Sequence, residues 1–279
     1  TTEIYTLSLH DALPIFADSL NNMALELKEK GRMQYELSVA KTIQDGLIPK
    51  STPNIPGFSF AGYYQAQTET GGDYYDYLTH IGKDHIGLVV ADVSGHGVGA
   101  WLVMTMIRSV LRSSAETMGR ASNVLKKINP IIYRDTSPNM YATMWYAILN
   151  TKTKVLNYSV AGHNAAIIYN PKKKTFHLLK TGGMPVGLQD SEVFDPIIES
   201  HAIQLQEGDI LVQTTDGVTE AMNSDYEEYG EERLYACVKR MGNLSAEKIV
   251  NAIVDDIKKF TGDIPQSDDI TLLVMKVED

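Results

Sequence analysis

The chain has 279 residues, a formal net charge of −10 and a pI near 5.2, a balance that argues against binding nucleic acid, whose phosphates require a basic footprint. A hydrophobic share of 43% fits a globular protein with a full core, within the length range of a large single domain. Cys237 is the single cysteine, so neither a disulfide framework nor a thiolate zinc site can form within one chain. That leans towards a reducing, cytoplasmic setting, and no apolar run approaches the roughly 18 residues a membrane helix needs.

The first residues lack the basic region and small-residue cleavage site of a signal peptide. The stretch TLSLHDALPI resembles translated sequencing-adapter sequence, so residues 1–16 are read as a non-native leader, with a sensor domain expected upstream of the natural chain. From Ala17 to Ile48, apolar Leu20, Met23, Leu27, Met33, Leu37, Ala40, Ile43 and Leu47 keep helical spacing while the intervening face is charged. This is one helix, or two joined near Gly31. Two readings stand: an amphipathic helix packed on a core, or a coiled-coil linker that pairs two copies as a homodimer and relays a signal. Pro49, Pro53 and Pro56 end the linker (17–50) and open the main domain at 51–279.

Short β-rich runs follow: Phe58–Gln65, His85–Val93, Tyr141–Leu149, Lys154–Ala161, Ala165–Tyr169, Thr175–Leu179, Asp209–Thr215 and Ile270–Val277. Asn150–Thr153 and Asn170–Lys173 read as hairpin turns. Helices are expected at Val98–Thr117, at Ser122–Asp135 with Ser122 as N-cap, at Glu231–Met241 and at Leu244–Thr261. Strands adjoin one another more often than they alternate with helices, so an antiparallel α+β arrangement is expected.

Four aspartates share one local character, each beside small or turn-forming residues at a strand end. They are Asp73 in GGDYYDY, Asp92 in ADVSGHGVGA, Asp216 in TTDGVTEA and Asp268 in SDDITLLV. Converging carboxylates repel one another unless a cation neutralises them. Hard divalent ions with oxygen ligands, Mg²⁺ or Mn²⁺, suit such a set, and a pair of them would activate a water for attack on phosphorus. Taken singly, an Asp-Gly pair is usually a turn and nothing more; spacing alone does not bring the four together.

With AGHNAAIIY (161–169) and GGMPVGL (182–188), these motifs in this order resemble the SpoIIE/RsbU-type branch of the metal-dependent (PPM) protein serine/threonine phosphatases, over about Glu36 to Val277. The resemblance implies an αββα sandwich of two antiparallel sheets flanked by helices. It implies two Mn²⁺ or Mg²⁺ ions: Asp92 bridging both, the backbone carbonyl of Val93 and Asp73 on one, Asp216 and Asp268 on the other, with Asp269 as the alternate to Asp268. The implied reaction is direct attack of a metal-bound hydroxide on phosphoserine or phosphothreonine. The implied substrate is a STAS-domain anti-anti-sigma factor of a partner-switching pathway.

The source of the leaving-group proton stays open. Related members carry a histidine two residues after the bridging aspartate, where this chain has Ser94; His96 or a metal-bound water are the candidates. His163 reads as a structural hydrogen-bonder or, less readily, as part of the chemistry. Two rivals from other classes remain: a phosphatase-like module that binds a phosphoprotein without turning it over, and a two-metal nuclease. The full set of aspartates argues against the first and the acidic charge against the second.

Overall fold

The structure, a computed structural model, describes residues 9–116 and 119–278. It divides into two compact units, residues 1–43 and 44–279. In the first, helix α1 (Leu9–Leu47, its last turn belonging to the second unit) passes through Gly31 without a break. A single glycine costs a helix only about 1 kcal/mol. Residues 1–8 of the expected leader lie outside the described residues, and α1 begins inside the stretch expected to be leader. Leu20, Met23, Leu27, Met33 and Ile43 are all exposed.

The second unit carries, in chain order, β1 (Phe58–Gln65), β2 (Tyr74–Leu78), β3 (His85–Val93), α2 (Val98–Ala115), α3 (Ala121–Asp135), β4 (Ala142–Asn150), β5 (Val155–Ala161), β6 (Ala166–Asn170) and β7 (Thr175–Leu179). There follow α4 (Ser191–Ile197), β8 (His201–Gln204), β9 (Ile210–Thr214), α5 (Asp216–Thr219), α6 (Gly230–Met241), α7 (Ala246–Thr261) and β10 (Ile270–Val277). The short elements α4, β8 and α5 carry too few residues to establish a period, and sequence reading passes over them. A tertiary partner makes β8, which exists by pairing with β5, whereas α4 starts at a local cap, where the Asp190 side chain accepts from the amides of Glu192 and Val193.

Both expected hairpin turns form. In each an asparagine side chain, Asn150 or Asn170, accepts from the amide three residues on, and a lysine, Lys154 or Lys174, closes the turn at positive φ. The expected cap of α3 is corrected. The N-cap is Arg120, whose side chain makes no capping bond. The first amides of the helix are satisfied from elsewhere in the fold, Ala121 N by the Asn157 side chain at 2.8 Å and Ser122 N by the Ser200 hydroxyl at 2.7 Å. Distant partners therefore replace the local cap that sequence suggested.

Two five-stranded sheets result, ordered β1-β10-β9-β6-β7 and β2-β3-β4-β5-β8, with every strand pair antiparallel. Strand alternation assigns each face. On β10, Leu273, Met275 and Val277 enter the core shared with Leu88, Val90 and Trp145 of the other sheet. Their neighbours Leu272 and Val274 pack with Ile253 and Ile257 of α7 on the outer face. On the second sheet, α2 and α3 lie against β3, β4 and β5. This is an αββα sandwich, α+β and antiparallel as the residue pattern led one to expect.

Because Leu273 is fully buried between the sheets while Leu178 on β7 is 44% exposed, their truncations should part clearly. Leu273→Ala should lower the urea-unfolding free energy by about 2–5 kcal/mol, and Leu178→Ala by no more than about 0.5 kcal/mol.

Candidate metal centre

Antiparallel pairing places the end of β3 beside the start of β2, and the end of β9 beside the start of β10. The four segments that carry the predicted aspartates therefore meet at one edge of the sandwich. Alternation decides where their side chains go. Leu88 and Val90 face the inter-sheet core, so Asp92, two residues on, faces the same gap at its end. Thr271 continues the inward row of Leu273 and Met275, and Asp73 the row of Tyr75 and Tyr77. The hydrophobic core ends in a polar rim written in the same register.

Asp73 is almost fully buried. One of its carboxylate oxygens, Oδ2, accepts from the hydroxyls of Thr215 at 2.7 Å and Thr271 at 2.6 Å. Asp269 is buried too, and its oxygens accept from the amides of Gln67 at 2.7 Å and Asp73 at 3.3 Å. The Asp268 side chain is exposed and accepts from the Asp269 amide. Gly72 and Gly217 are required by space, not by φ. A Cβ on Gly72 would stand 2.8 Å from the Val93 carbonyl oxygen, and one on Gly217 would stand 2.0 Å from the Asp269 carbonyl oxygen.

The electrostatics confirm that the carboxylates are neighbours. Burial first, then the charges of Asp216, Asp268, Asp269 and Glu220, push the Asp92 carboxyl up to about 7. Burial and the Asp92 charge drive Asp73 well above the usual carboxylate range, against the pull of its two threonine donors. Asp216 is raised by burial and by Asp268; Asp269 is raised chiefly by burial. Among the described residues, the acidic side chains do not close into a ready-made group of three that could grip one ion. Asp73 is drawn to its threonines and Asp269 to backbone amides, Asp268 accepts from the Asp269 amide and Asp216 from the amides at the start of α5, which leaves Asp92 as the carboxylate without such an anchor. The donor set is all oxygen, acidic and mutually repelling, and it fits a hard dication.

Asp76, the second aspartate of the GGDYYDY motif, belongs elsewhere. It accepts from the Tyr74 hydroxyl and pairs with Arg112, tying β2 to α2. Ser94 bridges to the 139–141 segment, donating to the Asn139 carbonyl and accepting from the Tyr141 amide. His96 is exposed in the glycine turn before α2 and makes no hydrogen bond among the described residues. The His163 ring nitrogen Nδ1 lies 2.7 Å from the Thr143 hydroxyl, and Thr143 is paired with Asp92 across β3 and β4. Burial pulls His163 down to about 4, so its ring is neutral.

Sequence reading passed over Gln44, Thr215, Thr271 and Glu220. Gln44 is buried, donates to the Gly71 carbonyl at 2.8 Å and accepts from the Gly71 amide at 3.1 Å, bracing the loop before Asp73. The two threonines sit inside the quoted motifs, adjoining Asp216 and two residues from Asp269; an inward strand parity was the signal that could have found them.

Fold and site together define a PPM-type protein serine/threonine phosphatase. The chain belongs to the SpoIIE family: the family model described as Stage II sporulation protein E (SpoIIE) matches residues 82–278. It is 29% identical over 251 residues to the phosphoserine phosphatase RsbU of Bacillus subtilis, covering 86% of this chain and 70% of that protein. The SiaA-PP2C domain of Pseudomonas aeruginosa superposes with a TM-score of 0.78 at 18% identity, over 89% of this chain and 98% of that one. The RsbU and RsbW domains of Rv1364c from Mycobacterium tuberculosis give 0.69 at 24% identity, over 83% and 63%. Among the described residues no helix is long and apolar enough to cross a membrane.

A raised carboxyl pKa in the folded state means that the folded protein holds protons the unfolded chain has released. Stability from Asp92 is then fully present below about pH 4 and is lost as pH rises to about 7. Metal-free protein should melt several degrees higher at pH 5 than at pH 8, and Asp92→Asn should flatten that difference. Added Mn²⁺ should raise the melting temperature more at pH 8 than at pH 5. Differential scanning fluorimetry reads all three.

Proposed function

We propose that this chain hydrolyses phosphoserine or phosphothreonine esters on a protein substrate with the help of two bound Mn²⁺ or Mg²⁺ ions. The observation that carries the reading is the meeting of Asp73, Asp92, Asp216 and Asp268 at one edge of the sandwich, with Asp92 raised by burial and then by the charge of its neighbours. Asp92 and the Val93 carbonyl would hold the ions from β3, Asp216 and Asp268 from the opposite sheet, and Asp73 from the buried side. When bound, such ions supply an activated water and a clamp for the phosphoryl oxygens.

The chain's own residues do the rest. Thr215 and Thr271 fix the orientation of Asp73 and hold one of its oxygens aside. Asp269 pins the Gly72-Asp73 loop through backbone amides, so its part is to position, with ligation as the alternate role. His96, exposed on the turn after β3, is proposed as one candidate donor of a proton to the leaving seryl oxygen, with water at the ions as the other; His163, neutral and hydrogen-bonded to Thr143, orients the strand that pairs with Asp92.

The substrate is proposed to be a STAS-domain anti-anti-sigma factor in a partner-switching pathway, which the likeness to RsbU supports. Homodimerisation through α1 is proposed from its exposed Leu20, Met23, Leu27, Met33 and Ile43 at helical spacing.

Asp92→Asn and Asp216→Asn should each cut Mn²⁺-dependent turnover of an aryl phosphate below about a tenth of the parent, with the circular-dichroism spectrum unchanged. Each tenfold is about 1.4 kcal/mol of barrier, and loss of the activated water should exceed that. Chelation should abolish the activity and Mn²⁺ restore it. A folded parent protein inert with every divalent ion would instead favour the binding-module reading. Deleting residues 1–34 should convert a dimer to a monomer in light scattering; a dimer that persists removes α1 as the interface.

A further inference from the structure

A cavity of about 200 Å³ opens beside the carboxylate edge, in the cleft between α7 and the strands β1 and β10. Two of its walls are continuous with the candidate metal centre. One holds Gly217, next to Asp216; the other holds Ser267, next to Asp268. Its lining is mixed but mainly apolar: Ala221, Val254, Ile257 and Pro265 stand beside the polar Gln65, Thr261 and Gln266. At its margin stand Met222, 38% exposed, and Ile264, 40% exposed. These are two large hydrophobic side chains left in water on facing segments of one opening.

The wall is braced. Gln266 donates from its side-chain amide to the Gln65 carbonyl at 2.9 Å and to the Asp268 carbonyl at 2.6 Å, fixing the 262–268 loop to β1. Lys258 also borders the cavity, is exposed, and has no ion-pair partner among the described residues, which suits the approach of an anionic phosphopeptide. An apolar cavity of about 150 Å³ is enough to accept a benzene ring, so this one has room for a leucine or phenylalanine side chain.

We propose that this cavity is a substrate subsite: it takes one large apolar side chain of the phosphoprotein, two to four residues from the phosphorylated serine or threonine. The inference rests on the phosphatase reading and adds to it a determinant of specificity. The occupant follows from continuity. Gly217 and Ser267, which line the cavity, adjoin Asp216 and Asp268 in the chain. A peptide whose phosphate lies at the Asp92–Asp216 edge thus needs only a short run to the opening, an extended chain advancing about 3.3 Å per residue. A side chain a few residues from the phosphate therefore reaches the opening. Filling it covers the exposed parts of Met222 and Ile264.

The test uses the whole chain with Mn²⁺, an aryl phosphate, and a phosphoserine peptide series. In the series leucine, phenylalanine, glycine or aspartate is placed in turn at each position up to four residues on either side. At one position, leucine and phenylalanine should raise kcat/KM at least about tenfold over glycine and aspartate, the discrimination an apolar pocket provides. Ile264→Asp and, separately, Met222→Asp should remove that preference while leaving aryl phosphate turnover within about twofold of the parent. Val193→Asp, on α4 and outside the cavity, should change neither. Aryl phosphate hydrolysis with no apolar preference at any position overturns the subsite alone, as does a preference that survives both substitutions. Failure to hydrolyse any substrate overturns the phosphatase reading and the subsite with it.

Discussion

Five acidic side chains from four segments, Asp73, Asp92, Asp216, Asp268 and Asp269, crowd the open end of an otherwise apolar gap between two sheets, and the fold must hold them there against their own repulsion. Burial makes the repulsion costly, because negative charge withdrawn from water is poorly screened. Each carboxylate responds in its own way. Asp73, the most buried, accepts from two threonine hydroxyls; Asp269 accepts from backbone amides; Asp268 stays in solvent. Asp92, half-buried and facing the others, is left with its proton affinity raised towards neutrality. A site of this kind is strained electrostatically without a cation and relieved by one.

The sandwich is what makes such crowding tolerable. Leu88, Val90, Leu273 and Met275 fix the register of the inward faces, and a one-residue slip would turn both the core and the carboxylates outward together. Stability and site geometry are thus set by the same alternation. The close approach of Gly72 to the Val93 carbonyl and of Gly217 to the Asp269 carbonyl shows how tightly the rim segments are packed onto one another. Side chains at either position would push apart the segments that carry the acids.

The site has flanks of different chemistry. On the side of β2 and α2, Asp76, Arg112 and Tyr74 form a paired polar cluster that secures the rim. On the side of α7, the rim passes into an apolar cavity edged by Met222 and Ile264. Gln44 ties the loop before Asp73 to the last turn of α1 through two hydrogen bonds with Gly71, so the loop that presents a buried acid is held from outside the sheets. The carboxylates, the cavity and the Gln44 contact are thus distinct parts of one rim.

Residue pattern by itself determined the fold class, most strands within a residue at each end, the four long helices of the main domain and the four aspartates, because period-two and helical spacing are local properties of the chain. The likeness of six ordered motifs supplied the family. Three kinds of feature were decided only by tertiary structure. The cap of α3 came from Asn157 and Ser200, far along the chain, and not from Ser122. The short strand β8 was formed by its pairing with β5. The division of labour among the aspartates depended on which oxygens find donors in the folded state: Thr215 and Thr271 lie 142 and 198 residues from Asp73 in sequence yet bond to the same oxygen. Sequence can name the acids at strand ends; only the packing of two sheets sets which of them is anchored and which remains poised, since that depends on burial and on partners the linear chain does not place side by side.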